Sequence, residues 1–395
     1  MVRYIRKNGG EKNNFLLCVL ASLRENNKGC NLKKRWETVL RTTRRTFLGA
    51  VAGAGSLAYG GCASKNVLRE SDQKTKPIQG SWFEFQHHNT AEGVYWNPAC
   101  AAFSCSQWDA KVREMADIGM NYLVLMHTAL NFKAFFDTDI FPRFEIDCLD
   151  PIETILKAGD RYGVKFFIGG GFYGKWDSPD ILRDRDAARK RLQAIGELAG
   201  KYGHHRSFYG WYWPNEAAID PYFKEQFIGY VNECSHEARI LTPDARTLIA
   251  PYGTRLAVPD DRFVKQLETL DIDIVAYQDE IGVRKTKVAE SASFFEGLKK
   301  AHDRAPKVKI WADVEIFDFE GEVYRSALIP APFKRVEKQL EAVSPYVDTI
   351  LVYQYLGMMN RPGSDAFAGQ PGSTVLYKDY VSWLGKTHPG LVKKS

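Results

Sequence analysis

Short apolar runs recur along residues 80–356, and amphipathic segments fill the intervals between them. The runs cover 80–85, 121–126, 164–170, 208–213, 247–250, 272–277, 308–314 and 349–353. They are rich in aromatic and β-branched residues and apolar on successive positions, as strands buried on both faces are. The intervals show helical spacing instead. Trp108, Val112, Met115 and Ala116 fall on one face of a helix predicted over 106–118. Further helices are predicted over 151–162, 183–202, 221–241, 260–269, 291–301, 332–343 and 377–387. A helix between consecutive strands forces parallel pairing and a right-handed crossover. Eight such units predict an α/β fold, a closed (β/α)8 TIM barrel over 78–395. An open doubly wound sheet would place a Gly-rich phosphate loop after its first strand. Glu84-Phe85-Gln86-His87-His88 stands there instead. Gly169-Gly170-Gly171 lacks that loop's spacing and reads as close approach of backbones at the barrel rim.

Composition narrows the function. With 45% hydrophobic and 26% charged residues in 395, the chain is globular. Its 9 Trp, 19 Tyr and 23 Phe suit a large core, and equally a sugar-binding cleft, where flat rings pack on the C–H faces of pyranoses. The net charge of +6 is unevenly spread: residues 1–61 hold twelve Lys or Arg against three acids, leaving −3 on the rest. A mildly acidic body has no electrostatic footprint for nucleic acid.

The basic excess surrounds an address. Thr43-Arg44-Arg45-Thr46-Phe47-Leu48 precedes a Gly/Ala-rich run, 49–61, too short to span a bilayer. The segment resembles a bacterial twin-arginine export signal. Gly60-Gly61-Cys62 resembles a lipobox, which implies diacylation of Cys62 and a lipoprotein facing the periplasm or cell surface; Tyr59 stands where Leu is usual. Cleavage after the small residues, giving a soluble periplasmic protein, is the alternative. The expected organisation is therefore signal 1–62, linker 63–77 and barrel 78–395, with no membrane contact beyond the lipid anchor and a monomeric state. Among seven cysteines, Cys100 and Cys105 are close enough in sequence to pair in an oxidising compartment, or to remain free buried thiols. Their spacing matches no zinc pattern.

In a parallel barrel the chemistry sits where strands end. The fourth run ends in Trp213-Pro214-Asn215-Glu216, the seventh in Asp313-Val314-Glu315. Two carboxylates on opposite sides of one rim are what glycosidic bond hydrolysis requires: one protonates the leaving oxygen, the other attacks the anomeric carbon or activates water. Asp313 shares a strand face with Glu315 and competes with it for this role; the position at the strand's end favours Glu315.

Asn215-Glu216 after strand four and Glu315 after strand seven resemble the clan A retaining glycoside hydrolases. The resemblance implies Glu216 as acid/base and Glu315 as nucleophile, acting on a poly- or oligosaccharide. The wider chain, with 80–88 and Tyr277-Gln278-Asp279, also resembles bacterial barrel families of unknown function provisionally called glycoside hydrolases. Two positions depart from the clan pattern: His127-Thr128 stands where an Arg is usual, and Gln354-Tyr355 where a Trp is often found. The sugar site beside the catalytic pair is thus expected to be built differently.

Desolvation against Trp213 and the charge of Glu315 are expected to keep Glu216 protonated, while Tyr277 holds Glu315 ionised. Asn215, Trp213, Tyr277, Gln278, Asp279, His127, Tyr252, Gln354, Glu84 and Trp176 are candidate sugar contacts. No cofactor is expected, and no metal: there is no His-Glu-x-x-His, and His204 and His205 precede strand four and face the other rim. The competing functions are a noncatalytic carbohydrate-binding barrel and, with less behind it, a metal-dependent hydrolase.

Overall fold

The computed structural model describes residues 74–392. The expected signal 1–62, with Cys62, lies outside the described residues, as does the linker before Lys74. Eight parallel strands close on themselves: β1 (Gly80–Phe83), β2 (Tyr122–Leu125), β3 (Lys165–Gly169), β4 (Phe208–Tyr212), β5 (Arg246–Ile249), β6 (Ile274–Gln278), β7 (Lys309–Glu315) and β8 (Thr349–Tyr353), with β1 bonded to both β2 and β8. The expected (β/α)8 barrel is the observed one. Its helices are α1 (Cys105–Asp117), α2 (Pro151–Tyr162), α3 (Arg185–Tyr202), α4 (Glu225–Leu241), α5 (Asp261–Thr269), α6 (Val288–Arg304), α7 (Phe333–Val343) and α8 (Ser373–Thr387).

Helix starts follow local chemistry. Ser104, Asp150, Asp184 and Asp260 each accept a first-turn N–H and so fix where α1, α2, α3 and α5 begin. The helix expected from 221 begins only at Glu225. The reason is tertiary: the Gln266 side chain accepts from the N–H of Phe223 and donates to its carbonyl, at 2.9 and 2.7 Å, holding it out of the helix. α6 begins earlier than expected, because Glu290 reaches back to the Lys287 N–H at 3.0 Å.

Alternation along the strands divides the core in two. Trp82, Val124, Met126, Phe167, Tyr212, Leu248, Ala276 and Trp311 fill the barrel. Their neighbours Phe83, Leu123, Leu125, Phe166, Trp211, Ile249, Val275, Tyr277, Ala312 and Val314 pack outward against the helices. Gly210 makes room for this filling: a Cβ there would stand 2.7 Å from the Phe167 ring. A Cβ on Gly169 would meet the Met126 carbonyl at 2.3 Å, the close approach expected of the glycine run.

The cysteine pairing differs from expectation. Cys105, at the start of α1, is bridged to Cys148 in the loop before α2, with Cα atoms 4.8 Å apart. Cys100 is a free, fully buried thiol, as is Cys234. Cys100 lies on the inward face of the short helix Asn97–Ala101 and packs into the core, so proximity in sequence does not aim it at Cys105.

Candidate active site

All eight strands are parallel, so their C-terminal ends share one rim. A cavity of about 1010 Å³ opens there. β7 brings Trp311, Asp313 and Glu315 to the barrel interior by alternation, and both carboxyls line the cavity. Glu216 enters from the loop after β4. The register sets Gln278 beside Asp313 and Tyr353 beside Glu315, and all of these reach the same space. The two-stranded ribbon of Phe317–Phe319 and Leu328–Pro330 continues the wall beyond β7.

Glu216 is held by two donors. The Tyr212 hydroxyl donates to Oε1 at 2.7 Å, and Gln278 Nε2 donates to Oε2 at 2.7 Å. Both favour the carboxylate, yet burial outweighs them and pushes the group up to about 7. Glu315 is 4% exposed, and among the described residues no cation is bonded to its carboxyl. Its Oε2 accepts the Val283 N–H at 2.8 Å. Burial, and then the charge of Asp279, raise it well above the usual carboxylate range. Asp313 is 2% exposed, has one oxygen without a partner, and is raised well above its range by burial and then by the charges of Glu315 and Glu216.

Of the expected sugar contacts, Asn215, Gln278, Tyr252 and Trp176 line the cavity. The others do not. Trp213 points outward by alternation, stacks on Trp211 and donates Nε1 to Ser235 at 2.9 Å; Tyr212, not Trp213, covers Glu216. Tyr277 also points outward and donates its hydroxyl to His302 at 2.9 Å, so it does not hold Glu315. Asp279 lies behind Glu315: its Oδ1 accepts the Glu315 N–H at 3.1 Å and its Oδ2 accepts Gln339 Nε2 at 2.7 Å. Burial raises Asp279 to about 6. His127 is buried, with Phe135 and Phe172 against its ring.

Glu84 and Gln354 bond each other at 2.6 Å in a buried cluster beside the cavity, where Glu84 also accepts from Trp96 Nε1 at 3.1 Å and from His87 Nδ1 at 2.8 Å. Burial would raise Glu84, but the charge and hydrogen bond of His87 prevail and hold it at about 2. Trp96 is fully buried in the core.

Residues outside the sequence expectation complete the walls. Lys285, in the loop after β6, sits over the rings of Tyr252 and Tyr324 at 5.4 and 5.5 Å and lies 3.9 Å from Glu280. Loop residues carry no periodicity, so no pattern in the sequence marks them. Tyr212 and Tyr353 were legible in principle, since strand parity turns both inward.

A family model described as a domain of unknown function, DUF4434, matches residues 78–366. No curated protein matches the chain. Among solved structures, the chain is similar to a protein of Bacteroides thetaiotaomicron provisionally described as an alpha-L-fucosidase: 18% identity, TM-score 0.62, over 79% of this chain and 96% of that one. It is also similar to an endo-1,4-beta-mannanase of Rhizomucor miehei, at 11% identity and TM-score 0.49 over 78% of this chain and 95% of that one. A beta-galacturonidase of Eisenbergiella tayi, at 14% identity and TM-score 0.49, is matched over 80% of this chain and 52% of its own. The first of these likenesses shows a shared barrel fold.

Proposed function

We propose that this chain, which belongs to the DUF4434 family, is a glycoside hydrolase acting on an oligo- or polysaccharide, with Glu216 as acid/base and Glu315 as nucleophile. One observation carries the reading. Carboxyls from the ends of β4 and β7, far apart in sequence, enter one cavity, and the β4 acid is raised to about 7. A barrel shared with the provisional fucosidase supports it at the level of fold.

The working form holds one proton on the pair. Glu216, surrounded by Tyr212 and Gln278, gives its proton to the leaving oxygen. Glu315, whose carboxylate the Val283 N–H favours, attacks the anomeric carbon. The C–O bond to the leaving sugar breaks as the glycosyl-enzyme bond forms. Glu216, now ionised, takes a proton from water, which releases the sugar with net retention. Asn215 lies beside the acid, and its side-chain oxygen is buried without a partner, free to accept a sugar hydroxyl.

A polysaccharide panel with wild type, Glu216→Gln and Glu315→Gln tests the assignment, with proton NMR of the first-formed anomer. Retained configuration and loss of activity in both variants are expected. Activity that survives both changes overturns the assignment, and a wild type that binds saccharide without cleaving it would point to the binding barrel.

We also propose that the protein is exported through the twin-arginine signal 43–61, with Cys62 as lipid site. Changing Arg44 and Arg45 to Lys should hold the precursor in the cytoplasm, and Cys62→Ser should release the mature protein from membranes. Unchanged fractionation overturns each.

A further inference from the structure

Beside the catalytic cavity, the segment after β1 gathers donors that the hydrolytic reading does not use. Glu84, His87 and His88 each present one atom within 4.8 Å of the others. Glu84 is fully buried, and its Oε2 has no hydrogen-bond partner. His88 Nδ1 is likewise buried and without a partner. Buried polar atoms ordinarily find partners, so an unpaired carboxylate oxygen and an unpaired ring nitrogen in one cluster are available to a cation. His88 and Glu92 line the cavity, so the cluster forms part of its wall.

We infer that Glu84, His87 and His88 form a binding site for one divalent first-row transition ion, such as Zn²⁺. Two imidazoles and a carboxylate are borderline ligands, which suit zinc, cobalt or nickel better than magnesium or calcium. Ligands of a tetrahedral zinc stand roughly 3.3 Å apart, so small side-chain rotations close the site. Loading releases to solvent the proton that His87 Nδ1 shares with Glu84 Oε1 at 2.8 Å, and the Tyr353 hydroxyl, 3.1 Å from the same nitrogen, gives way. Glu92, 3.0 Å from His87 Nε2, then orients the ring from behind.

A second cluster supplies the contrast. Glu153, His204 and His205 also bring donor atoms together at the opposite end of the barrel. As in His87, both His205 nitrogens are bonded, by Asp160 at 2.7 Å and Glu153 at 2.9 Å, but among the described residues none of the three has an orphaned buried atom. That cluster is complete without an ion.

The full chain, stripped with EDTA, is titrated with Zn²⁺ by calorimetry and its metal content measured after dialysis. No substrate is involved, so the result is separate from hydrolysis. One equivalent is expected, with at least tenfold weaker binding in His88→Ala and in Glu84→Gln, and unchanged binding in His204→Ala. X-ray absorption of the zinc-loaded wild type should show two imidazoles, which keeps the test intact where a variant does not fold. Binding below one equivalent, wild-type affinity in His88→Ala, loss in His204→Ala, or a zinc shell without imidazole would each overturn the site.

Discussion

The Tyr212 hydroxyl donates to Glu216 Oε1 at 2.7 Å, so the acid expected to give up a proton is itself a hydrogen-bond acceptor. A donor of this kind stabilises the carboxylate and opposes the burial that pushes Glu216 to about 7. Glu216 is protonated below that value, so activity should fall as pH rises through about 7. Tyr212→Phe removes a donor to the charged form, which raises the group further. The alkaline limb of kcat/KM should then move upward by roughly one pH unit, the equivalent of about 1.4 kcal/mol. A limb that stays in place, or moves down, would detach Tyr212 from the protonation of Glu216.

The two acids should also fail differently. An aryl glycoside with a very acidic phenol needs no protonation to leave, whereas a natural sugar does. Glu216→Gln is therefore expected to lose about 10²–10⁴-fold on saccharides and far less in the first step on a dinitrophenyl glycoside. Glu315→Gln removes the nucleophile and should lose activity on both. Rapid-mixing measurement of phenol release separates the cases; equal losses in both variants on both substrates would contradict the division of roles.

The barrel was legible because eight apolar runs and eight helical intervals carry it redundantly. The two glutamates were legible because a parallel barrel gathers strand ends on one rim. Neighbours of those glutamates were legible only through parity. Gln278 faces in, so Tyr277 and Asp279 on either side of it face out; Tyr212 faces in, so Trp213 faces out. Counting by twos from the inward-facing Trp311 places Asp313 and Glu315 correctly. Lys285 and the disulfide partner Cys148 lie in loops, where the chain has no period to count.

Behind Glu315, Gln339 Nε2 donates both to Asp279 Oδ2 at 2.7 Å and to the Glu315 carbonyl at 3.0 Å. Gln339→Leu leaves both acceptors buried and short of a donor, at a cost of about 1–3 kcal/mol. The pH profile distinguishes a positioning role from simple loss of packing. Without that donor Asp279 is protonated more readily, its repulsion on Glu315 weakens, and Glu315 ionises at lower pH. The acid limb of kcat/KM should shift downward in Gln339→Leu, while the alkaline limb, set by Glu216, stays. Parallel loss at every pH would leave Gln339 with a packing role alone.

The Cys105–Cys148 bridge ties the start of α1 to the entry of α2 across 43 residues. Closing a loop of that length in the unfolded chain is worth about 4 kcal/mol in the chain-entropy account. Cys105→Ala with Cys148→Ala should lower the unfolding free energy by that order, read as a lower denaturant midpoint. Reductant should bring the wild type down toward the double variant and leave the double variant itself unmoved. Cys100→Ala gives the necessary comparison, because Cys100 is buried and unpaired: its loss costs packing but preserves the response to reductant. A double variant that still responds to reductant, or a Cys100→Ala protein that no longer does, would mean that Cys100 takes part in the bridge after all.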